Sequence, residues 1–322
     1  KRGAKIPNGR FRPAPRFNSL QHMNILIVSG FLGAGKTTFI QKLAEKSGRE
    51  FAVMENEYGE QGIDGNLLEQ NRLKVWELTE GCICCSLKSD FAMSVLTIAN
   101  SADPDYLIVE PTGVGLLSSV ITNLLKIEYE RIRLLKPVTV VDINCVDSYL
   151  KTFGEFYADQ IKNASYIVLS KTENSSAADT EKAVKTLSAI NPDARIVTYD
   201  TADEQWWNDL LDIDKNAFAG KNARTQANLS DTPDLETIGF TGINMDSIDE
   251  LIGDLSVLLT DRFGRIYRVK GFVPINGQWA KFDIVDKRYN IETCTPMAQA
   301  KMTVIGKDLD KNALHTLFVT RT

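Results

Sequence analysis

From Met23 onward, short apolar runs alternate with longer stretches of helical periodicity. The runs fall at Ile25–Ser29, Phe51–Glu55, Leu73–Leu78, Tyr106–Glu110, Val138–Asp142, Tyr166–Ser170 and Ile196–Tyr199. They are mostly continuous Val, Ile and Leu rather than strictly alternating, the pattern of parallel strands covered on both faces. Segments near Thr37–Ser47, Ser86–Ala99, Leu116–Lys126 and Ser176–Ile190 read as the helices between them. Repeated strand–helix units predict an α/β domain over 23–200 with a doubly wound, mostly parallel sheet. Ligands of such a sheet sit at the carboxyl ends of its strands.

Asp200–Pro233 breaks the pattern, being acidic, then rich in Ala, Asn and Gly, then Ser-Asp-Thr-Pro. It predicts a linker over 201–233 with a short helix around Trp206–Leu211. Beyond it, strand patterns at Thr237–Thr241, Arg265–Val273, Trp279–Val285 and Ala300–Ile305 mix with helical patterns at Ser247–Leu259 and Asn312–Leu317. These predict a smaller C-terminal α+β domain over 234–322, near the small end of the domain range. Lys1–His22 has three prolines and no periodicity, and reads as a flexible basic leader over 1–22.

Apolar content of 43% and charged content of 25% are ordinary for a globular protein. The net charge is −5, and the six Lys and Arg of the leader face no acid, so the remainder is more acidic still. Such a surface repels phosphate, which argues against nucleic-acid and membrane partners. The longest apolar runs are strand-sized, which predicts no transmembrane helix and a cytoplasmic protein. Five cysteines stand at 82, 84, 85, 145 and 294, an odd number with three of them inside four positions. That clustering fits metal or redox chemistry in a reducing compartment better than a disulfide framework. Only two histidines exist, His22 and His315, which excludes sites built on several imidazoles.

Gly30-Phe31-Leu32-Gly33-Ala34-Gly35-Lys36-Thr37-Thr38 follows the first strand and opens the first helix. It satisfies the phosphate-loop pattern G-x-x-x-x-G-K-[ST]. Its glycines let successive N–H groups curl around phosphates, and the helix N-terminus adds its dipole. Lys36 would bridge the β- and γ-phosphates, and the Thr37 hydroxyl would hold Mg²⁺. Glu110 ends a predicted strand and supplies a carboxylate for Mg²⁺, and Pro111-Thr112-Gly113 follows it. Gly113 can offer its N–H to the γ-phosphate and move after hydrolysis. Base selection is expected at Ser170-Lys171-Thr172-Glu173, where a carboxylate can accept two hydrogen bonds from guanine and a lysine stem can cover the base.

Glu55-Asn56-Glu57-Tyr58-Gly59-Glu60 ends the second predicted strand, on the side where nucleotide binds. It reads as a solvated acidic loop or as a switch that touches Mg²⁺ or a second metal. Cys82, Cys84 and Cys85 follow the third predicted strand and precede a helix. Thiolates suit Zn²⁺, Cu(I) or Co²⁺, and a helix N-terminus lowers a thiol pKa. A closed structural site takes four ligands, so a fourth would come from a switch carboxylate or another chain. Redox exchange and inert buried thiols are the competing readings of the triplet. Cys145 and Cys294 are isolated and read as structural.

These residues together resemble the CobW-like family of P-loop GTPases, metallochaperones related in the nucleotide-binding domain to the urease and hydrogenase nickel-insertion GTPases. The resemblance rests on GFLGAGKTT at 30–38, ENEYGEQGID at 55–64, GCICCSL at 81–87, IVEPTG at 108–113 and SKTE at 170–173. GRIYRVKGFV at 264–273 looks like the family's C-terminal module. The resemblance implies GTP and Mg²⁺ binding, with slow hydrolysis coupled to delivery of a transition metal, Zn²⁺ or Co²⁺. The recipient would be a client metalloenzyme or cofactor-synthesis protein, and a homodimer is compatible with it. It implies Lys36, Glu57, Glu110 and Gly113 as the hydrolytic set. Gly33, Ala34, Gly35, Lys36, Thr37 and Thr38, with Ser170, Lys171 and Glu173, would bind nucleotide. Cys82, Cys84, Cys85, Glu55 and Glu60 would bind the transition metal, and Thr37 and Glu110 the Mg²⁺. Ser170 stands where the family commonly has Asn, and Glu173 where Asp is usual, a difference that bears on guanine selectivity. The His-rich stretch of many members is absent. Two other functions share some of these motifs: a nucleotide-gated assembly factor without metal transfer, and a P-loop small-molecule kinase. The C-terminal module reads as a client-docking or dimerisation platform, with Arg265, Arg268 and Lys270 on a solvated strand face.

Overall fold

The computed structural model describes residues 22–55, 74–77, 88–129, 131–173, 175–199, 201–219, 235–285 and 288–320. The first sheet contains β1 (Met23–Gly30), β2 (Ala52–Glu55), β3 (Lys74–Glu77), β4 (Tyr106–Glu110), β5 (Ile132–Leu134), β6 (Val138–Asp142), β7 (Tyr166–Ser170) and β8 (Arg195–Thr198). Its order is β3-β2-β4-β1-β6-β7-β8, with β5 beside β1, and every one of these pairings is parallel. The order reverses at β1, between β4 and β6, so a crevice opens where the phosphate loop leaves the sheet.

Both faces of this sheet are covered, which is why its strands carry no polar alternation. On one face α1 (Lys36–Ser47) buries Phe39, Ile40 and Leu43. On the other, Phe91, Val95 and Ile98 pack with Leu117, Val120, Ile121 and Leu124. The helix expected near Trp206 spans Glu204–Leu210, capped by the Asp203 carboxylate accepting from the Trp206 amide. Its tryptophans are 4% and 3% exposed and meet Phe39, so this part of the expected linker belongs to the first core. Acidic composition hides that role, because two large rings bury enough apolar area to hold a short helix in place.

Two helices at Val146–Phe153 and Glu155–Lys162 were not expected from the sequence. Each is eight residues long, with Gly154 between them, too short for a clear helical period.

The second sheet is antiparallel, ordered β12-β11-β10-β13-β9, from β9 (Glu236–Thr241), β10 (Arg265–Ile275), β11 (Gln278–Val285), β12 (Arg288–Cys294) and β13 (Lys301–Lys307). Strand β12 escapes sequence detection because it is a largely exposed edge whose core-facing side offers only Tyr289 and Ile291. One face of the sheet packs Val269, Val273, Phe282 and Ile284 against Leu251, Leu255, Leu314 and Phe318 of two helices. Its other face meets the first domain, where Val285 and Ile305 join Phe31, Leu32, Tyr149 and Phe153 in one apolar cluster. Arg268 and Lys270 therefore do not form the expected solvated face: Lys270 is 4% exposed and the Arg268 side chain 14%. Among the described residues no helix is long and apolar enough to cross a membrane.

Candidate nucleotide and metal site

The phosphate loop joins β1 to α1. Gly35 takes the N-cap position at φ 96, a left-handed conformation that a side chain disfavours. No side chain caps α1, so its first amides are available to an anion. Lys36 lies over the loop with its Nζ 3.7 Å from Glu110 Oε1, and both side chains are under a tenth exposed.

Four contacts hold the loop. The Ser170 hydroxyl donates to the Ala34 carbonyl at 2.6 Å. The Tyr149 hydroxyl donates to the Leu32 carbonyl at 3.4 Å. Phe31 sits among Tyr149, Phe153 and Tyr157 at centroid distances of 4.8, 4.5 and 5.4 Å. Gly33, at φ +69, lies against Val285 of the C-terminal sheet too closely to admit a Cβ. Of the expected nucleotide contacts, Gly33, Gly35, Lys36, Thr37, Thr38 and Lys171 line one cavity of about 560 Å³, together with Glu110.

The segment after β4, which contains Gly113, is held by a helix the sequence did not reveal. An added Cβ on Gly113 would lie 2.9 Å from the Leu32 amide, so the segment lies directly against the phosphate loop. Gln160 is fully buried and its Nε2 donates to the carbonyls of Gly113 at 3.0 Å and Gly115 at 2.9 Å. Next to it, the Asp159 carboxylate accepts from the Ser118 amide at 3.1 Å, capping the helix Leu117–Leu125, whose own N-cap residue makes no side-chain bond. Burial raises the Asp159 carboxyl above its ordinary value, and the Ser118 hydrogen bonds only partly offset this.

At the opposite end, Lys171 adopts φ 58 and pairs with Asp142 at 3.0 Å. Asp142 also accepts from Arg288 of the C-terminal sheet at 3.4 Å and from the Asn144 amide at 2.9 Å. Burial alone would raise the Asp142 carboxyl, but Lys171 and the Asn144 hydrogen bonds hold it below the usual carboxylate range. Glu173 is exposed and lies outside the lining of this cavity. Its carboxylate instead adds to burial in raising the Tyr199 phenol.

Glu55, Glu110 and Glu77 end adjacent strands, with Glu55 in register with both of the others. Glu55 is 4% exposed. Glu57, Glu60, Cys82, Cys84 and Cys85 lie outside the described residues. Among the described residues no three Cys, His, Asp or Glu gather as a metal cluster. Cys145 is buried beside Asp142 and Arg288, and burial raises the half-buried Cys294 thiol. Sequence reasoning missed Asp142, Asp159, Gln160 and Arg288, whose significance is contact with segments far away in the chain.

The profile described as "CobW/HypB/UreG, nucleotide-binding domain" matches residues 24–198, and that described as "Cobalamin synthesis protein cobW C-terminal domain" matches 241–320. The zinc chaperone YjiA of Escherichia coli strain K12 is 28% identical over 315 residues, covering 91% of this chain and 97% of that one. The zinc-regulated GTPase metalloprotein activator 1 of Schizosaccharomyces pombe is 29% identical over 220 residues, covering 64% of this chain and 52% of that one. A crystal structure of Zn(II)-bound YjiA GTPase from E. coli aligns with 92% of this chain and 98% of that one, at 22% identity and TM-score 0.43. With its phosphate loop, strand-end Glu110 and second antiparallel domain in the matching order, the chain belongs to the CobW/HypB/UreG family of P-loop GTPases.

Proposed function

We propose that this chain is a GTP-switched metallochaperone that binds Zn²⁺ or Co²⁺ and passes it to a client protein. The observation that carries this reading is the register of Glu55 with Glu110. One acid begins the loop expected to bind transition metal, and the other lines the phosphate cavity beside Lys36. A change at the γ-phosphate is therefore one strand away from a change at the metal loop. Glu77 flanks Glu55 on the other side, and Cys82 follows it five positions later in the chain. A chain of that length spans at most roughly 17 Å, a reach that would allow Cys82, and with it Cys84 and Cys85, to share an ion with Glu55. Names given to relatives, zinc chaperone and zinc-regulated GTPase metalloprotein activator, agree with this chemistry.

The residues present suit Mg²⁺ as well: Thr37 and the buried Glu110 line the same cavity, a hydroxyl and a carboxylate of the hard kind this ion takes. Bound there, Mg²⁺ would neutralise phosphate charge during transfer to water. Lys36 would leave Glu110 for the phosphate oxygens, and the Gly35 and α1 amides would hold the remaining charge. Gly113 would report the γ-phosphate, with Glu57 and Glu60 completing the switch. Ser170 would keep the loop seated, and Lys171 would cover the base. The nucleotide-binding domain in this reading continues through Phe218, and the C-terminal domain begins at Leu235.

Coupling of this kind is reciprocal, so metal tightens GTP binding by the factor that GTP tightens metal. Anaerobic Co²⁺ titration of the chain with and without a non-hydrolysable GTP analogue, read by thiolate–Co²⁺ absorption, tests it. Nucleotide should tighten the metal site, and Cys82/Cys84/Cys85→Ser should abolish the signal. Metal affinity indifferent to nucleotide would refute the coupling.

A further inference from the structure

Cross-strand register sorts one face of the C-terminal sheet into rows, because directly paired residues project to the same side. Arg268, Val285 and Arg288 form one row, and Lys270, Asp283 and Asn290 the next. Lys281 and Glu292 continue the face one row on. All eight side chains line the cavity that contains the phosphate loop.

The charge of that wall points to an anion. Arg268, Lys270, Lys281 and Arg288 carry four positive charges into the cavity, against two carboxylates from the same sheet. Lys36 and Lys171 add two more from the opposite wall, against Glu110 in the lining and Asp142 behind Lys171. The chain as a whole is net −5, so this concentration of cations runs against its composition. Lys270 is only 4% exposed, in surroundings where a charge acts more strongly on a neighbour than it does in water. The sheet is also fastened to both ends of the site. Val285 rests on Gly33 in the phosphate loop, and Arg288 shares Asp142 with Lys171 at the base-binding end.

We infer that the C-terminal sheet is the second wall of the nucleotide site, supplying Lys270, Lys281 and their neighbours as cations to a nucleoside triphosphate seated on the phosphate loop. This rests on the reading that the chain binds such a nucleotide. Nucleotide binding and the seating of the C-terminal domain are then one equilibrium. A client that grips this domain would change nucleotide affinity without touching the phosphate loop.

The test is calorimetric titration of the full-length chain with a non-hydrolysable GTP analogue. The wild type should bind, and Lys36→Ala should abolish binding. Lys270→Met should weaken it about tenfold or more, and Lys281→Ala about threefold, with a shallower salt dependence in both. Binding lost in Lys36→Ala yet within twofold of wild type in the two sheet variants overturns the inference alone. A wild type that binds no nucleotide removes the nucleotide reading and this inference with it. Should thermal melting show that Lys270→Met does not fold, labelling of the wild type decides. The analogue should then protect Lys281, 27% exposed, from acetylation and Arg288, 48% exposed, from phenylglyoxal. Unchanged labelling of both overturns the inference.

Discussion

Replacing Gln160 by methionine keeps the side-chain volume and removes one donor group from the segment around Gly113. Its Nε2 serves the carbonyls of Gly113 and Gly115, both buried, at 3.0 and 2.9 Å. Each carbonyl left without a partner costs about 1–3 kcal/mol, so Gln160→Met should destabilise the chain by about 2–4 kcal/mol. For a domain of this size, each kcal/mol lowers Tm by roughly 2–4 °C, which predicts a fall of about 5–15 °C. Thermal unfolding by circular dichroism at neutral pH measures it. GTP turnover, assayed well below the transition, should also fall because Gly113 loses its anchor. Gln160→Glu sharpens the test. Its carboxyl can donate to either carbonyl only when protonated, so its folded-state pKa should exceed the ordinary value near about 4.3. The stability of that variant is then greatest below this value and is lost as pH rises through the raised one. A Tm within about 1 °C of wild type for Gln160→Met would refute the account of the Gly113 segment as held from helical residue 160.

Three further outcomes follow from the same geometry. Ser170→Ala removes the hydroxyl under Ala34 and should cost about 1 kcal/mol while weakening GTP several-fold, measured by fluorescent-nucleotide titration. Unaltered affinity would show that the loop needs no such support. Trp206→Ala should cost about 3–5 kcal/mol in urea unfolding, since the ring is 4% exposed against Phe39, whereas a tryptophan in a free linker would cost almost nothing. Asp142 is held below its usual pKa, so its stabilising contribution is present above the ordinary Asp value of about 3.9 and is lost as pH falls through the lower folded-state value. Urea midpoints of wild type should therefore drop more steeply below about pH 4 than those of Asp142→Asn, and parallel curves would reject the assignment.

Much of the first domain was legible because its strands are buried on both faces and therefore read as unbroken apolar runs. β4, β6 and β7 were expected at the residues they occupy. The phosphate loop was legible for a different reason: its parts are consecutive, and glycine at a left-handed position leaves a local mark. Short or exposed elements left none. β12 turns only Tyr289 and Ile291 to the core, and the paired helices at 146–162 are too brief for a period to emerge. The acidic stretch around Trp206 misled for the opposite reason, since composition says nothing about where two buried rings dock.

By itself, then, the sequence determined the class of sheet, the phosphate loop with Lys36 and Thr37, the strand-end Glu110, and the family to which they belong. Those features depend on backbone stereochemistry and on periodicity within a few residues. Only the tertiary structure decided that Gln160 holds Gly113 across 47 positions, that Arg288 reaches Asp142 across 146, and that the C-terminal cations face the phosphate loop. Such pairings arise from strand order and from packing between distant segments, and chain-local patterns contain no record of either.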